Sequence, residues 1–511
     1  MARTPLAGAV EEAVAKIADE TTRTTRRRFL KGAGATVVGA TLLGRLADPG
    51  IAKGAPPPGT RIVVVGAGLA GLTCAYRLQQ AGYAAQVFEA SNRIGGRCWT
   101  GRGDFADGQI YEHGGELIDN NHIDMKQLVQ ELGFTLDNLY TAETNGTEQL
   151  GYFFGQPYTF TQMTNDLKAI WQQIHSDISA ASYPTLYSSF TTRGQQLDQM
   201  TLYQWIENYV PGGHRSPLGQ MLDVAYNIEY GAETTVQSAL NMLYLLGYTG
   251  PGQFRTFGKS NEKFHVHGGN DQIPTTLAAK LGSQITTSTP LTAIKQNGDG
   301  TYTLTFANGS GSITRIADHV VLALPFSLMR SVDFSKAGFN QVKTWAINEL
   351  GMGTNSKLHM QFNSRFWRDQ GCTGETYSDR GYQNTWEVSR AQPGTSGVLV
   401  NYTGGTLGLN ANKGTPAQAA ATFLKQVEPV LPGATAQWNG KVVRDYWTGY
   451  AWTKGSYSYW KAGQYTRFSG AEKEQSGTCH FAGEHTSQDF QGYLQGAVET
   501  GQRAANEILK P

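Results

Sequence analysis

Apolar residues along the chain alternate between short β-branched runs and longer stretches at helical spacing. Ile62-Val-Val-Val65 is a run suited to a buried parallel strand. A helical pattern opens at Leu69, and Gln86-Val87-Phe88 follows as a second strand. Met125, Leu128, Val129 and Leu132 then recur at helical spacing, as do Leu167, Ile170, Trp171, Ile174 and Ile178. Thr201 to Tyr209 and Leu240 to Tyr248 read the same way, so residues 122–260 are expected to form a mainly helical insertion. Strand signals return with Ile294 and Thr301 to Phe306, which flank the hairpin turn Asn297-Gly298-Asp299-Gly300. His319 to Leu324 is a further buried strand closed by Pro325, Phe481-Ala482 a short one, and Leu494 to Leu509 a final helix. The alternation predicts an α/β fold.

Between the first strand and its helix stand Gly66, Gly68 and Gly71, at G-x-G-x-x-G spacing. The first permits a tight turn, the second lets backbone approach a pyrophosphate, and the third allows close helix–strand packing. The free N–H groups at Leu69 are then placed to face phosphates. Glu89 ends the second strand, where a carboxylate can accept both ribose hydroxyls. Strand, glycines, helix, strand and acid together indicate a dinucleotide site, without separating NAD from FAD.

Composition narrows the classes. The 511 residues suffice for two or more domains. Lysine plus arginine number 42 against 41 acids, so no global charge points to nucleic acid or an anionic membrane. Cys74, Cys98, Cys372 and Cys479 are scattered and form no CxxC pair, so no metal site is expected. Near the start, Arg26-Arg27-Arg28-Phe29-Leu30-Lys31 precedes a mildly apolar Gly/Ala-rich segment. This resembles a twin-arginine leader, implying periplasmic or secreted location, with a basic arm as the alternative. Arg45 interrupts the apolar run, so no stable membrane anchor is expected. Gly54 to Thr60 is a natural linker. The expected organisation is leader and linker over 1–59, cofactor domain over 60–121, 261–330 and 446–511, helical insertion over 122–260, and substrate domain over 331–445.

After Glu89 the chain reads Ala90-Ser-Asn-Arg93-Ile94-Gly95-Gly96-Arg97. This E-A-x-x-R-x-G-G-R run resembles the flavin amine oxidase family, which includes monoamine, polyamine and L-amino acid oxidases. A second glycine pair lets backbone pass close to the cofactor, and Arg97 can neutralise pyrophosphate with forked hydrogen bonds. The loop His113-Gly114-Gly115-Glu116-Leu117-Ile118 resembles the family's flavin-passing loop, and Ala317 to Pro325 its later strand. Glu484, in Phe481-Ala-Gly-Glu484-His485-Thr486, resembles the family acid that binds the ribityl chain; Gly492-Tyr493 and the following helix resemble its flavin support. Leu291 takes the place of the residue whose backbone pairs with adenine. Lys357 matches a family lysine that holds a water against the flavin. Trp447, Trp452 and Tyr457 lie in a run that resembles the family's W-x4-W-x2-G-S-Y-S segment, and Tyr457 and Tyr493 match the two family positions that stand before the flavin as an aromatic cage. Ser456 stands where monoamine oxidases carry a flavin-linking cysteine, which implies non-covalent FAD.

The resemblance implies a Rossmann-like FAD-binding domain with a mixed-sheet substrate domain and a helical insertion. It implies hydride transfer from the carbon bearing nitrogen, imine hydrolysis and oxygen reduction to hydrogen peroxide. The leader and the Glu116 loop look most like bacterial secreted L-amino acid oxidases, so the expected substrate is an L-amino acid with a large apolar or aromatic side chain, and a homodimer is expected. Glu116-Leu117 departs from the venom-type arginine for the carboxylate. Arg102, Arg255 and Arg390 are the candidate replacements. A monoamine or polyamine oxidase is the alternative, with Glu116 or Glu387 holding a distal ammonium. An amine dehydrogenase using a carrier protein, and an inactive binding module, are further classes.

Overall fold

The computed structural model describes residues 57–247 and 261–510. The first strand, Ile62–Val65, lies at the centre of a five-stranded parallel sheet. On one side it pairs with His319–Leu322, which pairs with Cys479–Phe481; on the other with Ala85–Phe88, then Ile285–Thr286. All four residues of the central strand are buried, as expected when helices cover both faces. The sheet therefore draws strands from three separated parts of the chain.

The helix Leu69–Gln80 follows the first strand, and Leu494–Leu509 packs on it. The crossing is close because residue 501 is glycine: a Cβ there would stand 2.4 Å from the Ala70 carbonyl oxygen. Neither helix has a side-chain cap or an acid in its first turn. Their first N–H groups are thus left for a ligand.

A seven-stranded sheet forms the second layer, running 438–446, 356–362, 397–403, 384–387, 372–378, 148–153 and 156–159. It is mixed, since 372–378 runs parallel to 148–153 while the other pairs are antiparallel. The segment expected to be mainly helical does hold Phe160–Ala181, Leu202–Tyr209, Pro217–Tyr230 and Ala239–Gly247. It also supplies the last two strands of this sheet, Glu148–Phe153 and Gln156–Thr159. Their alternation is weak because Glu148, Gln149 and Leu150 are all half-buried. The hairpin at Asn297–Gly300 joins Leu291–Gln296 to Tyr302–Asn308 in a separate four-stranded sheet. The arginine-rich leader lies outside the described residues. Among those residues, no helix is long and apolar enough to cross a membrane.

Candidate active site

One cavity of 1320 Å³ runs between the parallel sheet and the mixed sheet. Its volume exceeds the usual range of about 300–1,000 Å³ for a small-ligand pocket, which leaves room for a cofactor and a substrate together. Gly66, Gly68, Glu89, Ala90, Gly96, Arg97, Gly114, Gly115, Glu116, Leu117, Leu291, Glu484, Gly492 and Tyr493 all line it. So do Lys357, Trp447, Trp452 and Tyr457. Gly71 does not; a Cβ there would stand 2.0 Å from the Gly66 carbonyl oxygen, so it serves the packing of helix on turn.

The cofactor end is shaped by backbone. Gly66 has φ +105°, which favours glycine, and a Cβ on it would meet the Ala323 carbonyl at 2.6 Å. A Cβ at Gly68 would meet nothing within 4 Å, so that face of the turn is open to a ligand. A Cβ at Gly115 would stand 2.6 Å from Leu494, beside the second uncapped helix start. Glu89 is buried and accepts hydrogen bonds from the backbone N–H groups of Ala67 at 2.7 Å and Ser91 at 2.8 Å. Arg97 donates to Glu484 at 2.8 Å, and the other carboxylate oxygen accepts from Ser458 Oγ and Gly492 N. Burial pushes the Glu484 carboxyl upward, but the charge and hydrogen bond of Arg97, with His485 and the Ser458 hydroxyl, outweigh it and hold it below the usual range. The uncapped start of Leu69–Gln80, the open glycine turn and Arg97 are donors that suit a dinucleotide pyrophosphate, and the uncapped start of Leu494–Leu509 opens on the same cavity.

The other end is aromatic and acidic. Tyr457 hydroxyl donates to the Ile228 carbonyl at 2.9 Å and meets the Tyr402 hydroxyl at 2.8 Å. Tyr493 hydroxyl donates to Glu229 at 3.1 Å. Glu262 and Glu375 line the same space, with Trp386 and Tyr377. Burial pushes Glu229 up to about 8, against the opposing hydrogen bond from the Tyr493 hydroxyl. Burial, then the negative charge of Glu375, raise Glu262 well above the carboxylate range. Glu375 is raised by burial despite a hydrogen bond from Tyr377 and the nearby charge of Arg390.

Several expected residues lie elsewhere or are already engaged. Glu387 does not reach this cavity; it is fully buried and takes Arg365 at 2.9 Å, Arg368 at 2.7 Å and the Trp367 N–H. Arg102 pairs with Asp271 at 2.7 Å, away from the cavity and half-exposed. Arg255 lies outside the described residues. Arg390 does line the cavity, but donates to Glu143 at 3.0 Å and to the Glu387 carbonyl. Glu116 is bound to Lys357 at 2.7 Å, so it is not a free acid for a distal ammonium. Trp447 is buried and donates to the His113 carbonyl at 2.8 Å, whereas Trp452 is 37% exposed.

The description flavin containing amine oxidoreductase matches residues 69–509. The chain belongs to that family. A probable flavin-containing monoamine oxidase A of Dictyostelium discoideum is 24% identical over 88% of this chain and 97% of its own. An L-amino acid dehydrogenase of Synechocystis is 25% identical over 90% of this chain and 97% of its own. The structure of cyclohexylamine oxidase from Brevibacterium oxydans IH-35A superposes with a TM-score of 0.77, at 21% identity, over 88% of this chain and 99% of that one. The fold is the amine oxidase fold and the protein is a flavin-dependent amine oxidoreductase. The comparisons give no support for an L-amino acid over an amine.

Proposed function

We propose that the chain oxidises amines carrying a second, distal ammonium, passing the electrons to oxygen and releasing hydrogen peroxide. The observation that carries this reading is the placement of Glu262 and Glu375 in the cavity that also holds Tyr457 and Tyr493. Neither acid has a salt-bridge partner among the described residues. A dication entering this space adds a counter-charge to both acids and favours their ionised form. The bound flavin, held without a covalent link since Ser456 replaces a cysteine, supplies the two-electron acceptor. The net change is amine, oxygen and water to aldehyde, ammonia and hydrogen peroxide.

The protein's own groups prepare the amine. An ammonium cannot release hydride readily until it loses a proton. Glu229, beside the Tyr493 hydroxyl, is placed to accept that proton. The aromatic walls fix the extended chain of the substrate and exclude water. Export by the twin-arginine route and a homodimeric state belong to the same proposal.

An L-amino acid substrate is the second reading, favoured by Arg390 on the cavity wall. It requires Arg390 to exchange Glu143 for the substrate carboxylate. Peroxide release from a four-carbon α,ω-diamine, the matching monoamine and L-phenylalanine separates the two. The diamine is expected to turn over with the highest kcat/KM. Faster turnover of L-phenylalanine than of either amine overturns the proposal.

A further inference from the structure

An ammonium has three N–H donors, and those of Lys357 all have partners. They go to the Glu112 carbonyl at 2.9 Å, the Gly114 carbonyl at 2.9 Å and Glu116 Oε2 at 2.7 Å. The second Glu116 oxygen accepts from Trp386 Nε1 at 2.9 Å. Trp386 in turn lies edge-on to Tyr402 at 5.1 Å, and Tyr402 meets Tyr457. Lys357 and Glu116 are 6% and 8% exposed, and both line the cavity. Burial pushes the Glu116 carboxyl up, but the charge and hydrogen bond of Lys357, with the Trp386 N–H, outweigh it and hold it low. The two side chains thus stand as a closed ion pair whose net charge is zero.

We propose that Glu116 is a positioning residue that restrains the oxygen step by cancelling the positive field of Lys357 in the cofactor cavity. The inference rests on the flavin-and-oxygen part of the proposed function and not on the diamine. Oxygen takes two electrons and two protons to become hydrogen peroxide. Negative charge builds on it before both protons arrive, and a fixed cation nearby lowers the energy of that charge. A carboxylate bonded to the same cation subtracts most of its field at any point farther away than the pair separation. The same cancellation admits a cationic substrate, which an unpaired lysine would repel. Glu116, in the position after Gly114-Gly115, reaches across to a lysine on the strand Ser356–Phe362.

Glu116→Gln tests this in the flavin-loaded protein, since the amide keeps the shape and an acceptor for Lys357 while removing the charge. The first readout requires no turnover. Sulfite adds to oxidised flavin as an anion, and its affinity, followed by flavin absorbance, reports nearby positive charge. Sulfite is expected to bind about tenfold more tightly in E116Q, and the ratio of oxygen rate to amine rate in rapid mixing is expected to rise about tenfold. The double variant E116Q with K357M is expected to lose both gains. Unchanged or weaker sulfite binding in flavin-loaded E116Q overturns the proposal, because Glu116 would then only hold the lysine in place. If E116Q does not retain flavin, E116D serves: the shorter acid separates from Lys357 and is expected to shift sulfite affinity in the same direction, and no shift overturns the proposal. A wild-type protein that binds flavin but consumes no oxygen with any amine sinks the underlying reading instead, and does so without reference to any variant.

Discussion

The two ends of the cavity are built on different principles. At the cofactor end the decisive constraints are backbone ones: Gly66 and Gly115 leave no room for a Cβ, Gly68 leaves its face open, and two helices begin without caps. At the amine end the decisive groups are side chains brought from far apart in sequence, Glu229, Glu262, Glu375 and Tyr493. A cofactor of fixed shape is met by a local turn of fixed geometry. A substrate is met by side chains that the helical insertion, the mixed sheet and the segments holding Glu262 and Tyr493 present to one space. Changes at one end should therefore spare the chemistry of the other.

The strongest challenge to this division is the double substitution Glu262→Gln and Glu375→Gln. It is expected to lower kcat/KM for a diamine by about a hundredfold, since losing the partner of a desolvated charge costs about 2–5 kcal/mol. Bound flavin per chain, read from absorbance, is expected to stay constant. Loss of flavin would show that the two ends are not separable.

Gly501→Val tests the opposite end. Its side chain collides with Ala70, and overpacking of this kind costs about 1–3 kcal/mol. Thermal unfolding at lower temperature together with reduced flavin content is expected. Full flavin content at a lower melting temperature would mean that the helix crossing does not shape the anion site.

A smaller effect concerns pH. Glu229 has its carboxyl raised to about 8, so below that pH it is protonated and cannot take a proton from the amine. The kcat/KM of the wild type is expected to rise with pH through this range, and in Glu229→Gln to lose that rise. The sign for stability is opposite. The folded carboxyl holds its proton while the unfolded one has released it, so wild-type stability falls between the ordinary carboxylate range and about 8. Chemical denaturation at two pH values should show E229Q without that fall. An unaltered profile in both measurements would remove Glu229 from the proton path.

The smallest effect is expected from Trp452→Ala. This side chain is 37% exposed, and its removal should change stability by no more than about 0.5 kcal/mol. A large rise in KM for the diamine would place it on the substrate path after all.

The same division explains what the amino-acid sequence reveals. The glycine turn, Arg97, Glu484 and the loop at Gly114-Gly115 are readable because each constraint lies within a few residues of its neighbours. Gly71 was legible even in its purely packing role. Glu229, Glu262 and Glu375 were not, since none sits in a motif. Glu229 had one local signal: it is an acid in the last turn of Pro217–Tyr230, where the helix dipole disfavours negative charge. Glu387 was a reasonable candidate for the pocket, but it lies near the end of its strand, Asn384–Glu387, and takes two arginines in the interior. Glu116 and Lys357 are each legible but their pairing is not, because Lys357 reaches the loop from a strand distant in sequence. The strands 148–153 and 156–159 were missed for a related reason, as their pairing partner is a distant strand and their own alternation is weak.

The crossing of Leu69–Gln80 and Leu494–Leu509 at Gly501 also has a consequence for biosynthesis. Leu69–Gln80 is synthesised well before Leu494–Leu509, and the sheet beneath them waits for Cys479–Phe481. A nascent chain can fold its helical insertion and most of its mixed sheet while the phosphate-binding corner still lacks one wall. A protein truncated before Leu494–Leu509 lacks the cavity wall that Leu494 and Ala497 supply, and is expected not to retain flavin.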